Sequence, residues 1–133
     1  MLLVKTRVRD AYRGDVHIGF GLFADQFIPK GTIIWKFNPL IDRVISRYDL
    51  ASFSDIELHF LETYTYREGE NLILCSDDAK YVNHSHTPNT DNFENEEGSV
   101  TVANTDINTG DEITSDYSHF ADDSQDGAVD AYL

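Results

Sequence analysis

The run Tyr81-Val-Asn-His-Ser-His-Thr-Pro-Asn89 constrains this chain more than any other, because it crowds polar side chains between an aromatic and a proline. Asn83, His84, Ser85 and Asn89 bring more donors and acceptors than a surface turn needs. Inside a globule each must find a partner, and a ligand pocket creates that demand. A second run, Gly110-Asp-Glu-Ile-Thr-Ser-Asp-Tyr117, reads as a turn, a short strand and a tyrosine able to present its phenol at a pocket mouth. Upstream, Ile18-Gly-Phe-Gly-Leu-Phe-Ala24 carries Gly19 and Gly21, where backbone can approach a ligand closely.

Between these runs the hydropathy alternates with the period of strands. Val4 to Val8, Phe20 to Phe27 and Thr32 to Phe37 read as strands. Pro29-Lys30-Gly31 is the turn between the last two, and Asn38-Pro39 ends the third. From Ser46 to Tyr64 apolar residues fall at helical spacings. Ser52 or Ser54 is placed to cap a short helix there, with Glu57 three residues after Ser54. Glu68-Gly-Glu-Asn71 reads as a turn, Leu72 to Cys75 as a buried strand, Asp91 to Gly98 as an acidic hairpin loop, and Ser99 to Ala103 as a strand. The pattern predicts one mostly β domain over residues 1–120, a helical insert at about 46–66, and an acidic C-terminal tail over 121–133.

Composition narrows the functional classes. A chain of 133 residues with 12% aromatic and 41% hydrophobic residues suits a single packed core. Its formal net charge of −14 excludes DNA or RNA as the main partner, since phosphate binding needs Lys and Arg clusters. The same charge favours a basic protein or peptide, or serves solubility alone. No apolar run reaches membrane-spanning length, and Met1-Leu-Leu-Val-Lys5 lacks the features of a signal peptide. A single cysteine, Cys75, excludes an internal disulfide and fits a reducing compartment, so the expected localisation is cytoplasmic.

In order and spacing, three segments resemble the SET domain, the family of S-adenosylmethionine-dependent protein lysine methyltransferases. His17-Ile-Gly-Phe-Gly-Leu-Phe-Ala24, with Ile28-Pro-Lys-Gly-Thr-Ile33 after it, is similar to the family's opening G-x-G segment and its turn. Lys80 to Ser85, with Pro88-Asn89, is similar to its Asn-His-Ser segment, and Gly110 to Tyr117 to its closing segment. The resemblance implies a β-clip of several small curved sheets, in which the last two segments thread into a knot-like core. It also implies a protein lysine N-methyltransferase that uses S-adenosylmethionine on a basic substrate, such as a histone-like or ribosomal protein.

The resemblance gives the residues their roles. Tyr117 would be catalytic, its hydroxyl aimed at the reacting centre. Asn83 would reach the amino acid end of the cofactor, the His84 main chain its adenine, and Gly19, Phe20 and Gly21 would lie beside it. Phe120 or His119 would stack where relatives close the site with a C-terminal segment. For the lysine channel, Phe37 and Trp35 are competing aromatic walls. Tyr64 and Tyr66 are further aromatics without an assigned place.

The chain departs from the family at three points. His86 stands where a zinc-binding cysteine often follows Asn-His-Ser, and no cysteines follow Tyr117, so no structural zinc is expected. Ser115 replaces the usual Tyr or Phe two residues before the catalytic tyrosine, which predicts room for more than one methyl group on the substrate amine. Lys80 replaces Arg and loses its fork of donors. Two other readings compete: a catalytically weak SET module that binds a basic protein tail, and a cysteine hydrolase built on Cys75 and His84. The second is disfavoured because Cys75 lies in an apolar strand, Leu72 to Cys75, where thiols tend to be structural and inert.

Overall fold

Two clusters of buried aliphatic side chains organise the chain. In the computed structural model, which describes residues 1–96 and 98–116, Leu22, Ala24, Ile28, Ile34, Ala103, Ile107 and Ile113 form the larger core. Ile45, Leu50, Leu61 and Leu72 form the smaller one. The elements that deliver them are β1 (Thr6–Arg13), β2 (Val16–Ala24), β3 (Ile33–Lys36), β4 (Arg43–Ser46), α1 (Asp55–Tyr64), β5 (Thr65–Glu68), β6 (Asn71–Leu74), β7 (Asn83–His84), β8 (Thr90–Asn95), β9 (Gly98–Ala103) and β10 (Thr114–Ser115). Short 3-10 helices occupy Arg47–Ser52 and Asp78–Tyr81.

The strands form four small sheets: the β1-β2 hairpin, β3-β9-β8, β4-β6-β5, and the two-residue pair β7-β10. The mostly β architecture with one short helix is therefore the one expected. Two loops seal the larger core. Ile28 and Ile107 exchange backbone hydrogen bonds in both directions at 2.8 Å. The Pro29-Lys30-Gly31 turn closes with Thr32 N–H donating to Pro29 O at 3.1 Å, and Gly31 takes φ +90°, as the third position of a type II turn requires.

The pair β7-β10 is the unusual element. It is parallel, with Asn83 opposite Thr114 and His84 opposite Ser115. Parallel pairs are slightly weaker per residue than antiparallel ones, so two residues would not hold by themselves. Two side-chain bonds make up the difference, Thr90 Oγ1 donating to Thr114 O at 2.7 Å and Thr114 N–H donating to Asn89 Oδ1 at 2.9 Å, and one further backbone bond, Ser85 N–H to Ser115 O at 2.9 Å, extends the pair. The closing strand is thus gripped from the Asn-His-Ser side and from the start of β8, as a threaded core requires.

Several sequence boundaries are corrected. The first hairpin runs further toward its turn than expected, with β1 extending to Arg13 and β2 starting at Val16 and ending at Ala24 rather than Phe27. Most of its positions are solvent-exposed on both faces, which hides the alternation that marks a strand. Asp91 to Gly98 is not a loop: β8 runs to Asn95 and pairs in full register with β9, from Thr90–Ala103 to Asn95–Gly98. Its acidic and Asn residues disfavour strands intrinsically, and cross-strand pairing overrides that preference. Of the two capping serines proposed, Ser54 is the N-cap of α1. It accepts from Glu57 N–H at 3.2 Å, and Glu57 Oε1 accepts from Ser54 N–H at 2.8 Å. The acidic tail over 121–133 lies outside the described residues.

This capping box and the packing of Ile113 differ in expected weight. Ser54→Ala should lower the unfolding free energy by about 1 kcal/mol. Ile113→Ala, which empties space beside the closing strand, should lower it by about 2–5 kcal/mol. Urea titrations followed by circular dichroism measure both.

Candidate active site

Beside β2 the Asn83 side chain is fixed by two donations, one to Phe20 O and one to Glu112 Oε2, both at 2.9 Å. Glu112 in turn accepts from Arg13 Nη1 at 3.1 Å, and Arg13 Nη2 donates to His84 O at 2.9 Å. One carboxylate thereby joins the first hairpin, the Asn-His-Ser segment and the closing segment. Gly21 sits in the middle of this cluster. A Cβ there would lie 2.8 Å from Glu112 Oε2 and 3.1 Å from Asn83 Nδ2, so glycine is required by the packing of these two side chains. Gly19 is required for a different reason: it has open space around it but φ +104°, a conformation that favours glycine. Phe20, between them, is 55% exposed and packs edge-on against Tyr81 with ring centroids 5.9 Å apart.

On the other side of the closing strand lies a cavity of about 70 Å³, walled by Leu22, Ile34, Trp35, Tyr64, Tyr66, Val82, Asn92, Ile113 and Ser115, with Thr101, Lys80 and Cys75 also on its lining. Adjacent positions on a strand face opposite ways. That alternation, together with the β7-β10 register, sets Asn83 in the Glu112 cluster while Ser115 lines the cavity. Trp35 and Tyr66 meet edge-on at 6.1 Å in its wall. Burial pushes the Tyr66 phenol well above its ordinary pKa, with a hydrogen bond to Ser99 opposing only part of the effect. Tyr64 touches Tyr81 at 6.0 Å, so aromatic contact runs from the cavity wall through Tyr81 to Phe20.

The expected residues thus fall into two groups. Gly19, Phe20, Gly21 and Asn83 gather on the β2 side, with the His84 carbonyl held by Arg13. Trp35 and Ser115 share the cavity. Phe37 lies outside the cavity lining: its ring rests on Gly98, where a Cβ would approach it to 2.9 Å. Tyr117, His119 and Phe120 lie outside the described residues. His84 and His86 meet edge-on at 4.7 Å, and among the described residues no group of three or more His, Cys, Asp or Glu side chains is arranged to hold a metal ion.

The sequence matches the family profile described as SET domain over residues 19–118, three quarters of the chain. The chain belongs to the SET domain family. Among solved structures its fold is similar to a humanized mutant of the Chaetomium thermophilum Polycomb Repressive Complex 2 bound to the inhibitor GSK126, at TM-score 0.65 and 17% identity, covering 88% of this chain and 15% of that one. It is also similar to ctPRC2 in an autoinhibited conformation bound to S-adenosylmethionine, at TM-score 0.67 and 17% identity, covering 92% and 16%. A Plasmodium falciparum protein designated a histone methyltransferase aligns at TM-score 0.56 and 22% identity, covering 89% and 96%. No curated protein matches the sequence.

In this SET domain the Asn83 amide spends both hydrogens on the protein and leaves Oδ1 without a partner among the described residues. A bare carboxamide oxygen suits an ammonium donor, the group carried by the amino acid end of S-adenosylmethionine, so the residues present fit that cofactor. Reading the sequence missed three members of the site. Arg13 carries no local signal, and Asn92 sits in the segment taken for a loop. Glu112 belongs to the closing motif, whose crowding of acids beside a turn was the available clue.

Cys75 is buried against the cavity, and burial together with the Asp42 and Asp77 carboxylates pushes its thiol up to about 12. A thiol held protonated is no nucleophile, which removes the physical basis of the hydrolase reading. The folded thiol stays neutral while the unfolded one ionises from its ordinary value of 9.0. Its contribution to stability is therefore complete below pH 9 and is lost between pH 9 and 12, by up to about 1.4 kcal/mol per pH unit. The difference in that alkaline slope between the native chain and Cys75→Ala, from denaturant titrations at pH 8 to 11, is the check.

Proposed function

We propose that this SET domain transfers a methyl group from S-adenosylmethionine to a lysine of a basic protein substrate in the cytoplasm. The observation that carries the reading is the β7-β10 pair, which puts Asn83 on one side of the closing strand and the Ser115-lined cavity on the other. An in-line displacement needs donor and amine to enter from opposite sides and meet, and the two faces of this strand supply the two directions of entry. The net charge of −14 supports a basic partner, and a histone-like or ribosomal protein has that character. The single buried cysteine supports a reducing compartment.

When bound, S-adenosylmethionine supplies an electrophilic methyl group on a sulfonium. The protein must then deliver a neutral amine, although free lysine has a pKa of about 10.4. Leu22, Ile34, Val82 and Ile113 in the cavity wall exclude water and destabilise the ammonium form, which lowers that pKa. Trp35, Tyr64 and Tyr66 line the cavity, and an aromatic ring face favours an alkylated cation once it has formed. Asn83, with Gly19, Phe20, Gly21 and the His84 main chain beside it, would hold the cofactor, and we assign Phe120 to the same cofactor-binding group. To Tyr117, two residues beyond Ser115 in the chain, we assign the catalytic role. Of the two aromatics weighed as channel walls, Trp35 takes that role and Phe37 packs on the β8-β9 turn.

Labelled S-adenosylmethionine incubated with fractionated basic proteins tests the reading. The native chain should label a discrete protein band, and Tyr117→Phe should reduce labelling by about 10²–10³-fold, the usual effect of losing one hydroxyl aimed at the transition state. Calorimetric binding of the cofactor without transfer to any fraction would instead favour a module that binds a basic tail.

A further inference from the structure

The Asn83 carboxamide is oriented by groups that accept and cannot donate. Its Nδ2 donates to Phe20 O and to Glu112 Oε2, both at 2.9 Å. A carbonyl and a carboxylate have no hydrogen to give, so turning the amide over would set its oxygen against two acceptors. Glu112 is fixed from its other side by a group of the opposite kind. Its Oε1 accepts from Arg13 Nη1 at 3.1 Å, and a guanidinium has donors alone. That guanidinium also donates to Tyr12 O at 3.1 Å and to His84 O at 2.9 Å, which holds it to two segments.

The chain of bonds thus has one direction, from Arg13 through Glu112 to Asn83, and it ends on the bare Asn83 Oδ1. An anion behind the NH2 end of an amide polarises it and makes the far oxygen a stronger acceptor. The Glu112 side chain is 16% exposed and that of Arg13 43%, so the carboxylate is the sheltered member and the guanidinium its outer support. A Cβ at Gly21 would lie 2.8 Å from Glu112 Oε2 and 3.1 Å from Asn83 Nδ2, so the pair has no slack on that side.

We propose that Glu112 and Arg13 are positioning residues for the cofactor's ammonium group: they keep the Asn83 oxygen bare and fixed before the cofactor arrives, and so select adenosyl compounds that carry that group. The proposal rests on the methyl-transfer reading for the identity of the cofactor, and deepens it with two residues that act through Asn83. An acceptor already ordered in the free chain costs less to order on binding. Glu112→Gln is the discriminating change, because it keeps the shape and gives the residue one donor end. Arg13 has donors alone, so the new amide turns its oxygen to Arg13 and its NH2 group to the Asn83 NH2 group. Donor then faces donor, and Asn83 loses the contact that sets its direction. Arg13→Met keeps the carboxylate and removes its support. By charge alone that loss would strengthen the hold on an ammonium, whereas the positioning role weakens it.

The test uses the full chain, these two variants, and Arg7→Gln, which removes a guanidinium of the same strand that pairs with Asp25 at 3.0 Å, outside this cluster. Calorimetry measures binding of S-adenosylhomocysteine and of its deaminated analogue, which keeps the carboxylate and lacks the ammonium. The native chain should prefer the first compound. That preference should fall about tenfold or more in Glu112→Gln, the weight of one hydrogen bond to a charged group. In Arg13→Met it should fall about two- to tenfold, the weight of an ordinary one, and in Arg7→Gln it should not change. Without ligand, the Asn83 side-chain amide protons should exchange slowly with solvent in the native chain and faster in Glu112→Gln. A preference unchanged in folded Glu112→Gln, a preference that rises in Arg13→Met, or fast exchange in the native chain overturns the proposal. Binding of neither compound overturns it together with the cofactor assignment. If the native chain shows the preference but labels no basic protein, the methyl-transfer reading fails and the variants still decide the positioning role.

Discussion

The Asn89 side chain does the work of a strand residue, and the site depends on it. Its Nδ2 donates to Glu112 O at 2.8 Å and its Oδ1 accepts from Thr114 N–H at 2.9 Å, so the carboxamide pairs with the closing segment as a peptide unit would. The Asn89 carbonyl meanwhile accepts from Asn104 N–H at 3.0 Å and keeps the start of β8 in place. A backbone segment that crosses under another cannot satisfy its donors and acceptors by ordinary sheet pairing, and unpaired buried groups are costly. An amide side chain, which carries a donor and an acceptor in the spacing of a peptide, solves that problem at one position.

Everything at the site follows from the crossing. Held there, Glu112 reaches Asn83 and Arg13 together, which ties the first hairpin to the Asn-His-Ser segment and leaves no space for a Cβ at Gly21. One position further on, Ile113 enters the larger core, and two beyond that Ser115 enters the cavity. The alternation of a strand thus distributes the closing segment among an ionic cluster, a hydrophobic core and a candidate substrate channel. The insert completes the arrangement. Its smaller core, capped by Ser54, presents Tyr64 and Tyr66 to the cavity from the far side.

Much of this was legible in the sequence, and the parts that were not have physical causes. The three motif segments announced both the family and the region of the site, because crowded polar side chains beside apolar residues have few structural explanations. The helix start was readable from Ser54 and Glu57, since capping is a local interaction. What failed was non-local. β8 consists of residues that avoid strands and becomes one only because β9 pairs with it along its length. Phe37 and Trp35 are two residues apart and equally aromatic; Trp35 lies within β3, which ends at Lys36, while Phe37 falls just past it with its ring on Gly98, and no local pattern encodes that difference. Arg13 meets His84 and Glu112 across a large sequence separation and so leaves no trace in its neighbourhood.

Native-state hydrogen exchange on Asn89→Ala tests the role of the crossing most directly. The informative probe is the Ser85 amide, which bonds Ser115 O and does not touch Asn89. The account expects its protection to fall by at least about tenfold, equivalent to one buried hydrogen bond or more, while amides of the β4-β6-β5 sheet keep theirs. Unchanged protection at Ser85, or an equal loss in both regions, would contradict it.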